Sequence, residues 1–373
     1  MIGILTFYWA DDYGALLQSY ALKAYLSRYQ KTILIPYVPG RLRTRYRLAL
    51  YQENDGFWRR GYQITRTLMS RTFYHDLEAK CRMSRFRKKY LTNGLRVLST
   101  SEDITKFGKN IHAYVAGSDQ IWNPEITEGF QEGYFCTFRK GNKKGKRYIA
   151  YAASIGTESL EEQYNGPLAE LLKNFDAISL REAQSVPYVK KLYDKELTVA
   201  LDPVFLLGKQ EWEKLLKSGR KRSKGYIALY YTEYNQKMAE YLQYLEACTG
   251  LYVLILNPKK EDYRWSKKQR YAAGCGPVEF LEQMYHAEYV VTNSFHGTAM
   301  AIIFHKQFLA FPHSTRSARL TNILRAFHLE SRMPDGEGLS AQIDEKIDWI
   351  KVDMALWGEI RHSKEFIKNE ILA

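Results

Sequence analysis

Residues 289–299 of the chain read YVVTNSFHGTA, and this stretch joins a strand-like run to the start of a helix-like run. The apolar β-formers at 289–291 predict a strand, and the apolar composition of 297–304 predicts a buried helix. The turn between them holds N–H groups without intrahelical partners, at the positive end of the helix dipole, and therefore favours an anion. His296 could add a proton donor or acceptor beside that anion. The alternative is that the turn only caps the helix and that His296 packs in the core.

Strand-like and helix-like segments alternate along the rest of the chain. Strands are predicted at 2–7, 32–38, 114–116, 148–154, 177–180, 198–201, 226–231, 252–256 and 308–311, and helices at 15–28, 181–193, 238–248, 277–285 and 318–327. Strands separated by helices predict parallel sheets that are covered on both faces. Because the pattern restarts near 208–224, we predict an α/β fold of two halves with a cleft between them, where the carboxyl ends of the strands bind ligands.

We divide the chain accordingly into two domains and a tail. The N-terminal domain is placed at 1–208 and the C-terminal domain at 209–340, followed by a helical segment at 341–373. Residues 41–90 interrupt the first domain as a basic, mostly helical insertion.

Positive charge is concentrated in this insertion. The chain of 373 residues has a net charge of +14, and 41–90 contains 14 Lys and Arg against 4 Asp and Glu, a local net charge of +10. Aromatic residues such as Trp58 lie between the charges, so we expect contact with an anionic membrane surface or with the diphosphate of a lipid-linked acceptor. The alternative is a solvated helix face. The chain contains no nucleic-acid-binding motif, and we expect no nucleic-acid partner.

Other sequence features indicate a cytoplasmic protein, with peripheral contact at the inner face of the plasma membrane. We see no run of ~20 apolar residues, and the N-terminus has neither a basic leader nor a small-residue cleavage site. The four cysteines are scattered, without the spacing of a zinc site or of a disulfide framework. The histidines have no ligand spacing either, so we predict no metal.

Six motifs occur in order along the chain and together carry a resemblance. They are DYGALLQSYAL at 12–22, VAGSDQIWNP at 115–124, YAASIG at 151–156, SLREAQS at 179–185, LDPVFLL at 201–207 and TNSFHGTA at 292–299. In this order they resemble the polysaccharide pyruvyl transferase family. The resemblance implies two Rossmann-like domains in a glycosyltransferase-B-like arrangement. It also implies transfer of pyruvate from phosphoenolpyruvate, as donor substrate and without a further cofactor, onto a sugar as a cyclic ketal. The implied acceptor is a bacterial surface glycan or its lipid-linked precursor.

The resemblance also implies site residues. His296 resembles the central histidine of the family, and imidazolium is a suitable acid to protonate C3 of the enol ether. Asp119, after the predicted strand at 114–116, is the candidate general base or sugar-binding carboxylate. The chain departs from the family at Ser294, where characterised members often carry an arginine that binds phosphate in a bidentate manner. This departure leaves the identity of the donor open.

Further residues are assigned to the two substrates. Arg181 is expected to reach donor phosphate or carboxylate across the cleft, with an ion pair to Glu182 as the alternative. The expected donor-binding residues are Arg181, Asn293, Ser294, Gly297, Thr298 and Arg316, the last preferred over Arg319 because it lies further into its loop. The expected acceptor-binding residues are Asp12, Gly14, Gln18, Ser118 and Ser154. Helix capping is the alternative role for Asp12 and also for Ser118 and Asp119, while a structural role is the alternative for Ser154 and a solvated helix start for Arg316. Gly14 is expected to permit a tight or left-handed turn and the close approach of a ligand.

Three functions remain open from the residues. The first is a pyruvyl transferase that uses phosphoenolpyruvate, which an intact His296 and Arg181 favour. The second is a glycosyltransferase-B-type sugar transferase that uses a nucleotide sugar. The third is a non-catalytic protein of glycan assembly. Serine at 294 favours the second or the third.

Overall fold

Two parallel β-sheets organise the protein, which is described here by a computed structural model. The structure describes residues 1–42, 56–68, 73–141, 145–216, 225–257, 265–266, 268–272, 274–313, 317–334 and 345–373. The first sheet has the order β2-β1-β3-β4-β5-β6 and the second has the order β11-β10-β7-β8-β9. The strands are β1 Ile2–Leu5, β2 Thr32–Leu34, β3 Ala113–Ala116, β4 Arg147–Ala153, β5 Ala177–Leu180, β6 Leu197–Val199, β7 Tyr226–Tyr230, β8 Tyr252–Ile255, β9 Arg270–Tyr271, β10 Tyr289–Thr292 and β11 Gln307–Ala310.

Helices connect the strands and cover both sheets. They are α1 Tyr13–Leu26, α2 Phe57–Leu68, α3 Phe73–Phe86, α4 Ser101–Phe107, α5 Pro124–Thr127, α6 Asn165–Leu172, α7 Val186–Lys190, α8 Lys209–Glu213, α9 Gln236–Thr249, α10 Pro277–His286, α11 Phe295–Ile303, α12 Ser317–Ala326 and α13 Trp349–Phe366. A 3₁₀ turn, Ala183–Ser185, precedes α7, so the helix predicted at 181–193 is much shorter than expected. Every predicted strand is present, although most end one to three residues early, and β9 and four short helices, α4, α5, α6 and α8, were not predicted.

A shared apolar core joins the two sheets. Helix α1 follows β1 of the first sheet, and its buried residues Leu16 and Leu17 belong to the same core cluster as Tyr230 and Phe280 of the second half. Tyr13 stacks on Phe280, with ring centroids 4.5 Å apart. The Tyr13 hydroxyl donates a hydrogen bond of 3.0 Å to the Cys275 carbonyl oxygen. The predicted cleft therefore lies between halves that pack directly on one another.

The basic insertion is helical over the part that the structure describes, as predicted. It contains α2 and α3, and a π-helical turn, Arg87–Thr92, continues α3. Several of its cations form ion pairs with the rest of the chain. Arg87 and Lys80 both pair with Asp11, at 2.7 and 3.1 Å, and Arg82 lies 3.8 Å from Glu279. Part of the local charge is thus neutralised internally, while residues 43–55 and 69–72 lie outside the described residues.

The terminal helix α13 returns to the first sheet. The Ser363 hydroxyl accepts a hydrogen bond of 2.9 Å from the Leu201 N–H, just after β6. A π-helical turn, Ile367–Ile371, continues α13, and its Glu370 pairs with Arg147 of β4 at 2.7 Å. Val352 and Phe366 of α13 are buried. One side of α13 is therefore anchored to the N-terminal half. None of the described helices combines the length and the apolar character needed to cross a membrane.

Candidate active site

A cavity of about 290 Å³ lies between the two halves, where the carboxyl ends of their strands meet. Such crevices are the usual ligand sites of open α/β sheets. The N-terminal half lines it with Phe7, Trp9, Ala10, Asp12, Ala15, Asp119, Gln120 and Ile126, and the C-terminal half with Thr232, Asn293, Ser294, Phe295, His296, His313, Arg319 and Leu320.

His296 enters this cavity from the first turn of α11. Strand β10 ends at Thr292, and Ser294 caps the helix by accepting a hydrogen bond from the Gly297 N–H at 3.4 Å. The predicted junction of strand, polar turn and helix is confirmed. His296 itself is 7% exposed and lines the cavity, so it is neither a surface residue nor sealed in the core.

Gly14 of α1 gives the His296 ring its space. A Cβ atom added at Gly14 would lie 2.0 Å from Nδ1 of His296 and 2.5 Å from its Cγ. Any side chain there would have to displace the imidazole. Gly14 lies within the first turn of a regular helix, so the expectation of a left-handed turn is wrong, and the residue serves close packing instead.

A buried carboxylate faces the other ring nitrogen. Nε2 of His296 lies 3.5 Å from Oδ2 of Asp202, which is fully buried after β6. The same oxygen accepts hydrogen bonds from Arg181 at 2.9 Å and from Ser118 at 3.1 Å. Burial alone would raise the pKa of Asp202, but the His296 and Arg181 charges outweigh it and lower the pKa well below 3.8. Asp202 therefore stays ionised behind the imidazole.

Arg181 does not line the cavity, contrary to its expected role in donor binding. Its side chain is 2% exposed and donates hydrogen bonds of 2.9 Å to Glu182 and to Asp202. Its guanidinium also lies 3.9 Å from Asp119 and over the Phe295 ring at 5.2 Å. Burial lowers the pKa of a guanidinium, yet these carboxylates raise that of Arg181 overall. The ion pair considered as the alternative is the one that forms, because burial requires the charge to be neutralised.

Ser118 and Ser154 are also structural residues rather than acceptor ligands. Both are fully buried. Ser118 donates to Asp202, as described above, while Ser154 donates to Glu182 at 2.9 Å and accepts from the Gly156 N–H at 3.0 Å. Each serine follows a strand of the first sheet and holds one of the carboxylates that surround Arg181. Neither hydroxyl lines the cavity, and the structural alternative is the one that the contacts of both serines show.

Three further expected ligands are packed inside the protein. Gln18 is fully buried below the cavity, and its amide donates a hydrogen bond of 2.8 Å to the Thr6 hydroxyl. Thr298 is also fully buried, and its hydroxyl donates to the Ser294 carbonyl oxygen at 3.2 Å. A Cβ at Gly297 would lie 2.4 Å from Oγ1 of Thr292, so this glycine lets α11 pack against its strand.

Asn293 and Ser294 do line the cavity, although both are engaged with neighbouring atoms. The side-chain oxygen of Asn293 accepts from the Thr232 N–H at 2.7 Å, and its amide donates to the Glu233 carbonyl oxygen at 2.9 Å. Asn293 thereby fixes the loop after β7 at the edge of the cavity. At the start of α11, the Gly297 N–H is taken by the Ser294 hydroxyl, and the Thr298 N–H donates to the Ser294 carbonyl oxygen at 3.0 Å.

Two carboxylates reach the cavity from the N-terminal half. Asp119 has a φ of 82°, an uncommon conformation for a residue with a side chain, and it accepts from the Gln120 N–H at 2.8 Å. Asp12 caps α1 by accepting from the Ala15 N–H at 2.9 Å, so capping is confirmed, and it also lines the cavity. Asp12 is exposed to the water of the cleft. Desolvation by the protein around it nevertheless raises the pKa of its carboxyl, and the charge of His296 opposes this rise.

Three residues of this site are more prominent than the sequence predicted: Asp202, Arg319 and His313. Asp202 was quoted only as part of a motif, although its place directly after a predicted strand was a usable signal. Arg319 ranked below Arg316, yet Arg319 lines the cavity. The side-chain oxygen of Gln120 points towards Arg319 and accepts hydrogen bonds from its two terminal guanidinium nitrogens, at 3.2 and 3.1 Å. Residue Arg316 lies outside the described residues. His313, 3.5 Å from Glu233, was assigned no role.

The arrangement suits acid–base chemistry without a metal ligand set. Within the described ranges, no group of three or more His, Cys, Asp or Glu side chains is placed to hold a metal ion. An imidazole backed by an ionised carboxylate lines the same cavity as Asp12 and Asp119, while Arg319 supplies a cation from the same half of the protein as His296.

Comparison with known proteins identifies the family. The family model described as polysaccharide pyruvyl transferase matches residues 12–315, so the chain belongs to this family of transferases. No curated protein matches the chain.

Solved structures identify the fold. A UDP-N-acetylglucosamine 2-epimerase is 11% identical with a TM-score of 0.55, covering 99% of this chain and 94% of that one. The MnaA–UDP structure from S. aureus is 12% identical with a TM-score of 0.51, covering 98% and 96%. The UDP-GlcNAc 2-epimerase from Neisseria meningitidis with bound UDP-GlcNAc is 9% identical with a TM-score of 0.51, covering 98% of both chains. The two Rossmann-like halves thus have the predicted glycosyltransferase-B-like arrangement, with a cleft between them.

Proposed function

We propose that this protein transfers the pyruvyl group of phosphoenolpyruvate to a sugar and forms a cyclic ketal. The observation that carries the proposal is the position of His296, which lies in the cleft with the Asp202 carboxylate 3.5 Å behind it. A carboxylate in this position orients the imidazole and favours a proton on the ring nitrogen that faces it. The family assignment supports a sugar acceptor, which we expect to be part of a bacterial surface glycan or its lipid-linked precursor.

In the proposed reaction, His296 donates a proton to C3 of phosphoenolpyruvate, which becomes a methyl group. C2 becomes electrophilic, and an acceptor hydroxyl oxygen forms a bond to it. Asp119 is the proposed base that takes the proton of this hydroxyl. Asp119 then returns this proton to His296, so that both groups recover their starting protonation states. The bond between C2 and the phosphate oxygen then breaks, and a second hydroxyl closes the ketal. Its proton leaves with inorganic phosphate.

Donor binding is assigned to the C-terminal wall of the cleft. Ser294 replaces the arginine that is frequent in the family, and Arg181 is buried in ion pairs. Arg319 lines the cleft near His296, so we assign it to the donor phosphate or carboxylate. The positive end of the α11 helix dipole supports the same charge. The assignment of Arg316 to the donor stays a prediction.

The donor assignment is tested by thermal unfolding with phosphoenolpyruvate, because a ligand of the native state raises the melting temperature. Loss of a charge-assisted contact costs about 1.5–3 kcal/mol, so Arg319→Ala should weaken phosphoenolpyruvate binding by roughly 10- to 150-fold. Arg325→Ala is the matched control, since Arg325 is an exposed arginine of the same helix, α12. Equal affinities of the two variants would remove Arg319 from the donor site.

A nucleotide sugar is the second candidate donor. Serine at 294 favours it, because the phosphate-binding arginine of the family is missing there. The similar structures with bound UDP and UDP-GlcNAc support it as well. If UDP-GlcNAc or UDP raises the melting temperature while phosphoenolpyruvate does not, the sugar-transferase function replaces the pyruvyl transferase. No response to either ligand would favour the non-catalytic role.

We also propose that residues 41–90 contact an anionic membrane surface or the diphosphate of a lipid-linked acceptor, at the cytoplasmic face. Trp58 and Tyr62 of α2 are 87% and 68% exposed. The ion pairs of Lys80, Arg82 and Arg87 reduce the charge that is available for this contact. Binding through this segment should weaken with salt, since exposed charges are screened within about 10 Å at 0.1 M.

A further inference from the structure

A second amphipathic surface lies on the terminal helix α13, far from the basic insertion in sequence. Ile350, Met354 and Trp357 are 75%, 73% and 73% exposed. Their spacing of four and three residues places them on one face of the helix. Large apolar side chains with this degree of exposure rarely form a continuous stripe on a surface that has no partner.

Cations extend the same face towards the C-terminus. Arg361 and Lys364 of α13, and Lys368 of the π-helical turn that continues it, follow Trp357 at spacings of four, three and four residues. All four side chains line one groove. The groove has a volume of about 980 Å³ and is closed on its other side by Tyr25 and Tyr29 at the end of α1. The Lys364 ammonium lies 5.6 Å from the Tyr25 ring centroid. Glu365 is the acidic residue in the lining.

The groove does not overlap the candidate active site. Helix α1 begins beside the cleft, where Asp12 and Ala15 line the cavity, and ends at the groove. Its 14 residues span about 21 Å at 1.5 Å per residue. A partner on the groove would thus leave the cleft accessible to substrates.

We propose that this face of α13 is a docking surface for a bilayer of anionic phospholipid. An exposed tryptophan with apolar neighbours suits the boundary between headgroups and acyl chains, and the cations next to it match the charge of anionic headgroups. The opposite side of α13 is held to the first sheet through Ser363 and Phe366, so the apolar stripe faces outward on a fixed helix. A second copy of the chain is disfavoured as the occupant, because each copy carries a net charge of +14.

Co-sedimentation of the full chain with vesicles tests the proposal. We expect binding to phosphatidylglycerol-containing vesicles at low salt, little binding to phosphatidylcholine vesicles, and release at high salt. Met354→Ser/Trp357→Ser and Arg361→Gln/Lys368→Gln should each lower the partition coefficient by on the order of 10-fold or more. Lys106→Gln/Lys173→Gln, at the exposed Lys106 of α4 and the exposed Lys173 directly after α6, is the matched charge control and should bind like the wild type.

Trp58→Ser tests whether binding depends on the basic insertion instead of α13. Trp58 lies in α2 of the insertion and is 87% exposed. The proposal is supported if Trp58→Ser binds anionic vesicles like the wild type while both α13 variants lose this binding. Loss in Trp58→Ser with wild-type binding of both α13 variants overturns it and assigns the contact to 41–90. Equal binding of the wild type to neutral and anionic vesicles also overturns it. The proposal is also overturned if the protein binds no vesicles and sedimentation velocity shows a dimer that the α13 substitutions dissociate. Unchanged melting temperatures and turnover would show that the variants are folded.

Discussion

His296 is the residue on which the proposed chemistry depends. Replacing it with alanine removes the acid that protonates the donor, and loss of one acid–base group lowers turnover by about 100- to 10,000-fold. The fold should persist, because His296 lies at the wall of a cavity and not in a sealed core. We expect His296→Ala to release no phosphate above background in a coupled assay while its circular dichroism is unchanged. The exposed His362→Ala is the control. Turnover near that of the wild type in a folded His296→Ala variant would exclude the residue from the mechanism.

Arg181 is expected to act on stability and not on donor affinity. Its side chain neutralises Glu182 and Asp202 inside the protein. Removing one partner of a buried ion pair leaves unpaired charge and typically costs about 3–5 kcal/mol. Arg181→Met should therefore lower the free energy of unfolding in urea by an amount of this order. A stable Arg181→Met variant with weakened phosphoenolpyruvate binding would restore the role expected from its motif.

At the scale of the element, α1 and α11 approach each other closely where Gly14 meets the His296 ring. Gly14→Ala would place a methyl group about where the His296 ring now lies, so the ring must move or the helices must separate. We expect at least a tenfold loss of turnover, since small displacements of a catalytic group are costly. Gly166→Ala is the matched control, because Gly166 is a helical glycine of α6 whose added Cβ would meet nothing within 4 Å. The control should be neutral or stabilised by up to about 1 kcal/mol. If Gly14→Ala kept full turnover, the close packing would be irrelevant to function.

At the scale of the whole molecule, the buried ionic network connects both halves. Asp202 follows the first sheet, and its carboxylate faces His296 of the second half. Its pKa is lowered in the folded protein from an ordinary value of 3.8. A carboxyl with a lowered native pKa stabilises the fold above its unfolded pKa, and that contribution is lost as the pH falls through the native value.

The pH dependence of stability should show this network directly. We expect the free energy of unfolding of the wild type to decline as the pH drops below about 4, and to decline less steeply in Asp202→Asn, where this carboxyl is absent. Urea unfolding at a series of pH values between 7 and 3 measures both slopes. Parallel slopes would show that Asp202 does not remain ionised in the folded protein.

Much of the fold is already determined by the local sequence. The strands and the main helices could be predicted from short apolar runs and helical periodicity, because those signals depend only on residues close in the chain. The turn that carries His296 was predictable for the same reason, since the polar cap lies between an apolar strand and an apolar helix. The motifs added the family and, through it, the arrangement of the two halves.

The roles of individual side chains were decided by tertiary structure. Arg181, Ser118 and Ser154 all follow strands, which is where binding residues are expected. Their side chains nevertheless turn inward and donate hydrogen bonds to the carboxylates of Glu182 and Asp202. Whether a polar side chain at a strand end faces the cleft or a buried partner depends on residues that are distant in sequence. Asp202 and His296 are 94 positions apart in the sequence, yet they meet in the fold. Parallel strands bring their carboxyl ends to the same edge of each sheet, and the two halves pack on a shared core that places these two edges side by side.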